Sequence, residues 1–285
     1  MTSDADNARY NRRSDLQVTY QGLADSPIAF AKYSTQEKLA DNRVILIHGF
    51  TQNNLHFQKI AEELVSAFEC EVICIDLPGH GGSSDLTKNL TETGELLMSF
   101  DQRSIWVGYS LGARHLLTMC AAHPDRQWRA IFSGVNPGII DPDQRLERYN
   151  SDLRLANKLS SLKDDKAGFK QFLIQWTSQS LFLPRNLTED DLNARLQNQP
   201  VALASSLITS SIGKQPNLWP NLGELAGHFT FITGGEDKKY LQIAEQIKSV
   251  ANNTFRFVEI SGLGHAAIFD SSETVIREVG RLLAK

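Results

Sequence analysis

Gly108-Tyr-Ser110-Leu-Gly112 places a serine between two glycines, after an apolar run and before an apolar helical stretch. A sharp strand-to-helix turn of this kind strains the serine backbone. It holds the hydroxyl above the carboxyl edge of a sheet, at a helix N-terminus. A serine hydroxyl is a weak nucleophile or base unless a neighbour takes its proton, so a histidine and an acid are needed. The chain has seven histidines. His56, His115 and His123 fall on predicted helices or their ends and read as surface or packing residues. His228 starts a strand, His48 reads as structural, and His80 lies in the tight glycine-rich loop Asp76-Leu-Pro-Gly-His-Gly-Gly-Ser83 after an earlier strand. His265 alone sits in a glycine-rich loop, Gly262-Leu-Gly-His265, after the last predicted strand and downstream of Ser110. The acid is offered by Thr233-Gly-Gly-Glu-Asp237, where Glu236 and Asp237 are both available. His48-Gly49-Phe50 follows the first long apolar run. A backbone N–H there, at Phe50, can pair with that of Leu111 to hold an oxyanion.

These residues need elements to position them. Gln17–Tyr20 and Ile28–Tyr33 read as short edge strands. Continuous apolar runs at 43–48, 71–76, 104–108 and 129–133 read as buried strands. Apolar residues at helical spacing cover 54–68, and an apolar helix runs to Ala122. From 137 to 220 the pattern turns helical, punctuated by Pro184, Pro200 and Pro216. Strand pattern resumes at His228–Thr233, followed by a helix at 238–250, a strand at Thr254–Ile260 and a helix at 266–284. The expected fold class is α/β: a mostly parallel central sheet flanked by helices, with a helical cap insertion. The expected organisation is a flexible tail over 1–15, a core from 16–136 and 221–285, and a cap over 137–220.

Composition narrows the function classes. Apolar residues make up 41% of the 285 and charged residues 22%, ordinary globular usage. A net charge of −4 argues against a nucleic-acid binder. The polar N-terminus has no signal-peptide core. The uncharged stretch Leu196–Gly213 is rich in serine, amide side chains and proline, so membrane insertion is not expected. Cys70 and Cys74 flank one predicted strand, too far apart to bridge, and a cytoplasmic location is expected. No histidine or cysteine spacing suggests a metal, and no cofactor is expected. Nothing in the residues specifies an oligomeric state.

At these motifs the chain resembles the α/β-hydrolase superfamily, whose order of serine, acid and histidine it repeats. Within it the chain resembles the 2-succinyl-6-hydroxy-2,4-cyclohexadiene-1-carboxylate synthases, the MenH family. Arg114 completes a Gly-Tyr-Ser-x-Gly-x-Arg motif. Asn136-Pro-Gly138 followed by Arg145, Arg148 and Asp152 resembles its Asn-Pro-Gly…Glu-Arg-x-x-Arg…Asp stretch. Trp176-Thr-Ser-Gln-Ser-Leu-Phe182 and Lys214-Gln-Pro-x-Leu218 resemble cap motifs. Gly235-Glu-Asp237-Lys-Lys-Tyr240 resembles its Gly-Glu-x-Asp-x-Lys-Phe, which favours Asp237 as the acid. Two departures stand out. Ala266-Ala-Ile-Phe-Asp270 replaces the family's Asn-x-His-x-Glu after Gly-His, and Gln199-Pro200 replaces an Asn-Gly type pair.

The resemblance implies a lyase acting on a small-molecule tricarboxylate substrate, with Ser110, Asp237 and His265 as triad. It also implies that arginines hold carboxylates, since a guanidinium fork pairs with them bidentately. Arg114 lies one helical turn beyond Ser110 and so shares its helix face. Arg145, Arg148 and Arg195 are the candidate cap partners, with Arg145 and Arg195 the expected ones and Arg145 foremost, and Tyr109 and Trp176 are the expected walls around the ring. A true hydrolase of a carboxylate-bearing ester or carbon–carbon bond is the alternative, and a non-enzymatic binding protein of the same fold the remote one.

Overall fold

The computed structural model describes residues 16–23, 26–35, 42–100, 103–251 and 255–285, with the side chains of 20–23 and 26 excepted. The expected tail over 1–15 lies outside them. Eight strands form one sheet in the order β1-β2-β4-β3-β5-β6-β7-β8: β1 Gln17–Leu23, β2 Ser26–Ser34, β3 Arg43–Ile47, β4 Glu71–Ile75, β5 Ile105–Tyr109, β6 Trp128–Ser133, β7 Gly227–Gly234 and β8 Phe255–Ile260. The first two strands pair antiparallel, β2 pairs antiparallel with β4, and the rest run parallel. Central β4 and β5 are buried at every residue, as strands covered by helices on both faces must be.

The helices follow from their apolar stripes. In α1 (Gln58–Phe68), Ile60, Ala61, Leu64 and Val65 face the sheet. On one side of the sheet Trp106, Phe132 and Phe229 form the core; on the other, Leu46, Val107, Leu64 and Val275 do. Helix α2 (Leu90–Leu97), absent from the sequence reading, starts at a reciprocal cap between Asn89 and Glu92. Helix α3 (Leu111–Ala122) follows β5. The predicted helix at 54–68 opens as a 3₁₀ turn, Asn54–Phe57, under an Asn53 cap.

Between β6 and β7 lie α4 (Pro142–Ser161), α5 (Lys166–Thr177), α6 (Glu189–Arg195) and α7 (Pro200–Thr209). They enclose their own apolar cluster around Leu159, Phe172, Leu173 and Leu203. Helix α8 (Lys238–Val250) follows β7. The predicted last helix is split into α9 (Ala267–Asp270) and α10 (Ser272–Leu283). The break falls at Ser271, whose backbone leaves the helical region and whose hydroxyl bonds Glu273 and Thr274 instead. Among the described residues no helix is long and apolar enough to cross a membrane.

The tightest approach between helix and sheet is at Gly112, where an added Cβ would overlap the carbonyl of Ile47. Gly112→Ala should therefore lower stability by about 3 kcal/mol or more. By contrast, Gly94→Ala in α2 meets nothing nearer than 3.4 Å and should stabilise by ~0.5–1 kcal/mol through helix propensity. Urea midpoints of the two variants would check both signs.

Candidate active site

Strand β5 delivers the chain into the turn at Ser110, where φ is 51° and ψ −107°. A non-glycine residue pays strain there, so the surroundings must over-determine it. The Ser110 N–H donates to Ser133 O at 2.8 Å, and its carbonyl accepts from the Arg114 N–H at 3.1 Å. The hydroxyl thus stands at the start of α3, beyond the carboxyl ends of the parallel strands.

Asp237 follows β7 and caps α8. One carboxylate oxygen accepts from the Tyr240 N–H at 3.3 Å; the other lies 2.7 Å from His265 Nδ1. Its neighbour Glu236 is exposed, whereas Asp237 is buried. His265 Nε2 lies 3.0 Å from Ser110 Oγ. With the carboxylate accepting at Nδ1, that nitrogen carries the ring proton and Nε2 is left to accept from the serine. The three residues named from sequence therefore meet in one hydrogen-bonded line. Gly134 leaves room for it, since a Cβ at that position would overlap the His265 ring. The His265 N–H donates to Leu181 O at 3.1 Å, which ties the histidine loop to the cap.

Phe50 and Leu111 both line the adjoining cavity. Their N–H groups take no hydrogen-bond partner among the described residues. The Phe50 loop is held from below. His48 Nδ1 donates to Gly49 O at 2.8 Å, and Nε2 accepts from the Leu77 N–H at 3.1 Å. Its ring meets that of His80 at 4.9 Å. Burial pushes both imidazoles down, His80 to about 4. Both are packing groups that stay neutral.

The cavity above Ser110 has a volume of about 560 Å³. Tyr109 and Trp176 wall it, as expected, with Phe182 and Tyr240 beside them. The Trp176 Nε1–H is buried without a partner. Arg114 and Arg195 line the cavity, but Arg145 does not. This departs from the sequence expectation. On α4 the residues facing inward are Gln144 and Arg148, one turn apart, while Arg145 points to the side and donates to the carbonyls of Gly213 and Gln215 at 3.3 and 3.1 Å. The run alone carries no phase; the Arg148–Asp152 spacing was the available signal.

The cations differ in how they are compensated. Arg148 pairs with Asp152 at 2.9 Å, and Arg195 with Asp191 at 3.2 Å. Arg195 also donates to the Thr51 hydroxyl, next to Phe50. Arg114 has no carboxylate within ion-pair distance among the described residues. The one hydrogen bond its guanidinium makes among the described residues is to the neutral Gln215 amide oxygen at 3.1 Å. Burial pushes its guanidinium down to about 10. Lys239 stands at the rim, held below the ordinary lysine value by desolvation and then by Arg148. Lys239, Tyr240 and Gln215 were not picked as site residues from sequence. Among the described residues no group of three or more His, Cys, Asp or Glu side chains is placed to hold a metal.

A strained serine at a strand-to-helix turn, on a mostly parallel eight-stranded sheet with a helical insertion after β6, defines a class. The chain belongs to the alpha/beta hydrolase family, whose profile matches residues 44–278. Within that family it is similar to the 2-succinyl-6-hydroxy-2,4-cyclohexadiene-1-carboxylate synthases. That of Serratia proteamaculans is 31% identical over 211 residues, 70% of this chain and 79% of that one. The putative enzyme of Bacillus subtilis is 26% identical over 222 residues, 73% and 78% respectively. The structure of MenH from S. aureus superposes with a TM-score of 0.77 at 26% identity, covering 90% of this chain and 97% of that one. Epoxide hydrolase CorEH, at 14% identity and a TM-score of 0.74, shares the fold.

Ser110→Ala and His265→Ala should each lower kcat by several orders of magnitude, and the double variant should be little worse than either. Multiplying losses would mean the two do not act as a unit. The buried imidazoles predict a pH effect on stability. Between pH 6.5 and about 4 the unfolded chain binds a proton that folded His80 refuses. Stability should be full above pH 6.5 and fall as pH drops towards 4. His80→Gln should make that slope shallower by up to ~1.4 kcal/mol per pH unit, read from urea titrations across the window.

Proposed function

We propose that the chain is a carbon–oxygen lyase of menaquinone biosynthesis. It eliminates pyruvate from 2-succinyl-5-enolpyruvyl-6-hydroxy-3-cyclohexene-1-carboxylate and yields 2-succinyl-6-hydroxy-2,4-cyclohexadiene-1-carboxylate. The observation that carries this reading is Arg114, a half-buried guanidinium one turn from Ser110 with no carboxylate within ion-pair distance among the described residues. A partly desolvated charge on a cavity wall gains by pairing with an anion. The substrate bears three carboxylates. The names of the relatives agree with this reading.

His265, oriented by Asp237, takes the proton of Ser110, and the serine oxygen removes the proton α to the succinyl ketone. The N–H groups of Phe50 and Leu111 hold the developing enolate oxygen. The electron pair then passes through the ring alkene and expels the enolpyruvyl oxygen, which leaves as pyruvate after protonation. No covalent enzyme intermediate forms, and no redox or carrier cofactor is needed. The expected substrate is a free small molecule, consistent with a cytoplasmic enzyme. The second reading is hydrolysis of a carboxylate-bearing ester, which the 3.0 Å Ser110–His265 pairing would also support.

The decisive assay measures pyruvate release from the cyclohexene substrate beside hydrolysis of a short p-nitrophenyl ester. Turnover of the ester alone, with an acyl group trapped on Ser110, selects the second reading. Arg114→Ala should cost about 2–5 kcal/mol in kcat/KM for pyruvate release and leave the neutral ester nearly untouched. Arg114→Lys should restore only part, because an ammonium lacks the bidentate fork. A change below about fivefold in Arg114→Ala removes the carboxylate-binding role.

A further inference from the structure

Tyr240 occupies an unusual place beside the triad. It sits in the first turn of α8, three residues after Asp237, whose carboxylate accepts its backbone N–H. Its ring packs against the His265 imidazole with centroids 4.4 Å apart. It lines the same cavity as Arg114 and Ser110. Its side chain is half-buried, and its hydroxyl makes no hydrogen bond among the described residues. A phenol on a cavity wall with no protein partner is free to donate its O–H to a bound ligand. Arg114 contributes to the wall of the same cavity. Burial raises the Tyr240 phenol, and of the nearby charges Arg114 acts on it most strongly, in the opposite sense. The interaction is mutual: after burial, Tyr240 is the first influence on Arg114.

We propose that the Tyr240 hydroxyl is a second donor to the anion that Arg114 binds, so that one substrate carboxylate is held between a guanidinium on α3 and a phenol on α8. The inference rests on the reading of the cavity as a carboxylate site and assigns Tyr240 a specificity-determining role in it. The geometry also makes chemical sense. The Arg114 fork meets a carboxylate with two parallel N–H groups, and each carboxylate oxygen keeps a further lone pair for another donor. Because Tyr240 also packs on His265, the bound carboxylate is registered against the proton-transfer line rather than merely captured. A neutral group in the same position would gain little from the pair.

The test is a saturation-transfer NMR titration of succinate, a simple dicarboxylate probe, into the full chain and three variants: Tyr240→Phe, Arg114→Gln and the double. Tyr240→Phe should raise the succinate Kd roughly 10- to 150-fold, as loss of a hydrogen bond to a charged partner does. The double variant should bind little worse than Arg114→Gln alone, since the phenol has no anion to hold once the cation is gone. Succinamide, the neutral isostere, should not distinguish Tyr240→Phe from the unaltered chain. The inference is overturned if Tyr240→Phe leaves the succinate Kd unchanged, if the two losses multiply, or if the unaltered chain does not bind succinate. Pyruvate release is measured separately. A chain that binds succinate through both residues yet releases no pyruvate keeps this inference and loses the lyase reading.

Discussion

The backbone at Ser110 is the constraint on which the rest of the site depends. Its left-handed conformation is disfavoured for a side-chain-bearing residue and survives only because its neighbours leave no alternative. Ser133 holds its N–H, the first turn of α3 holds its carbonyl, and the bare Cα of Gly112 lets that helix press onto Ile47. Once this corner is fixed, the hydroxyl has one direction to point. The loops after β7 and β8 then need only deliver an acid and a base to a place already defined by the sheet.

Asp237 shows how little machinery that delivery takes. One carboxylate ends the loop after β7, starts α8 and orients His265. The helix cap and the orientation of His265 are two hydrogen bonds of one carboxylate, one from each oxygen. The cavity uses a complementary economy of charge. Two of its arginines are neutralised by neighbouring aspartates, so their positive ends position loops and helices. Arg114 has no carboxylate within ion-pair distance among the described residues, and its guanidinium meets only a neutral amide oxygen.

Much of this was legible in the sequence because it is local. Strand, turn and helix around Ser110 occur within a dozen residues, and the glycines that permit the turn are part of the motif. His265 stands out by its place after the last strand. Asp237 and Glu236 are indistinguishable in the residues alone; only burial separates them, and burial depends on which way the loop turns. Arg145 and Arg148 pose the same problem on a helix. One turn of α4 carries both, and the phase that sends Arg148 inward is set by packing against α7 and the 211–215 segment. Tyr240 was invisible for a different reason. Its environment comes from α3 and the loop after β8, far away in sequence.

The connection between cap and core has a consequence for modularity. Arg195 reaches Thr51, Asn53 reaches Ala194 O at 2.7 Å, Asn198 reaches Thr51 O at 2.8 Å, and Gly81 donates to Asn198 at 2.8 Å. The Leu181 carbonyl holds His265 itself. The insertion after β6 is thus no interchangeable lid resting on a finished catalytic platform. It supplies polar partners for the 50–54 loop, which lines the cavity, for the 79–84 loop and for the histidine loop. Grafting a different cap onto this core, to present a new pocket to the same triad, would leave the Thr51 turn and the Gly81 loop without those partners. A transplant would have to carry the 50–54 and 79–84 loops with it, so the exchangeable unit in this protein is the cap together with that part of the core.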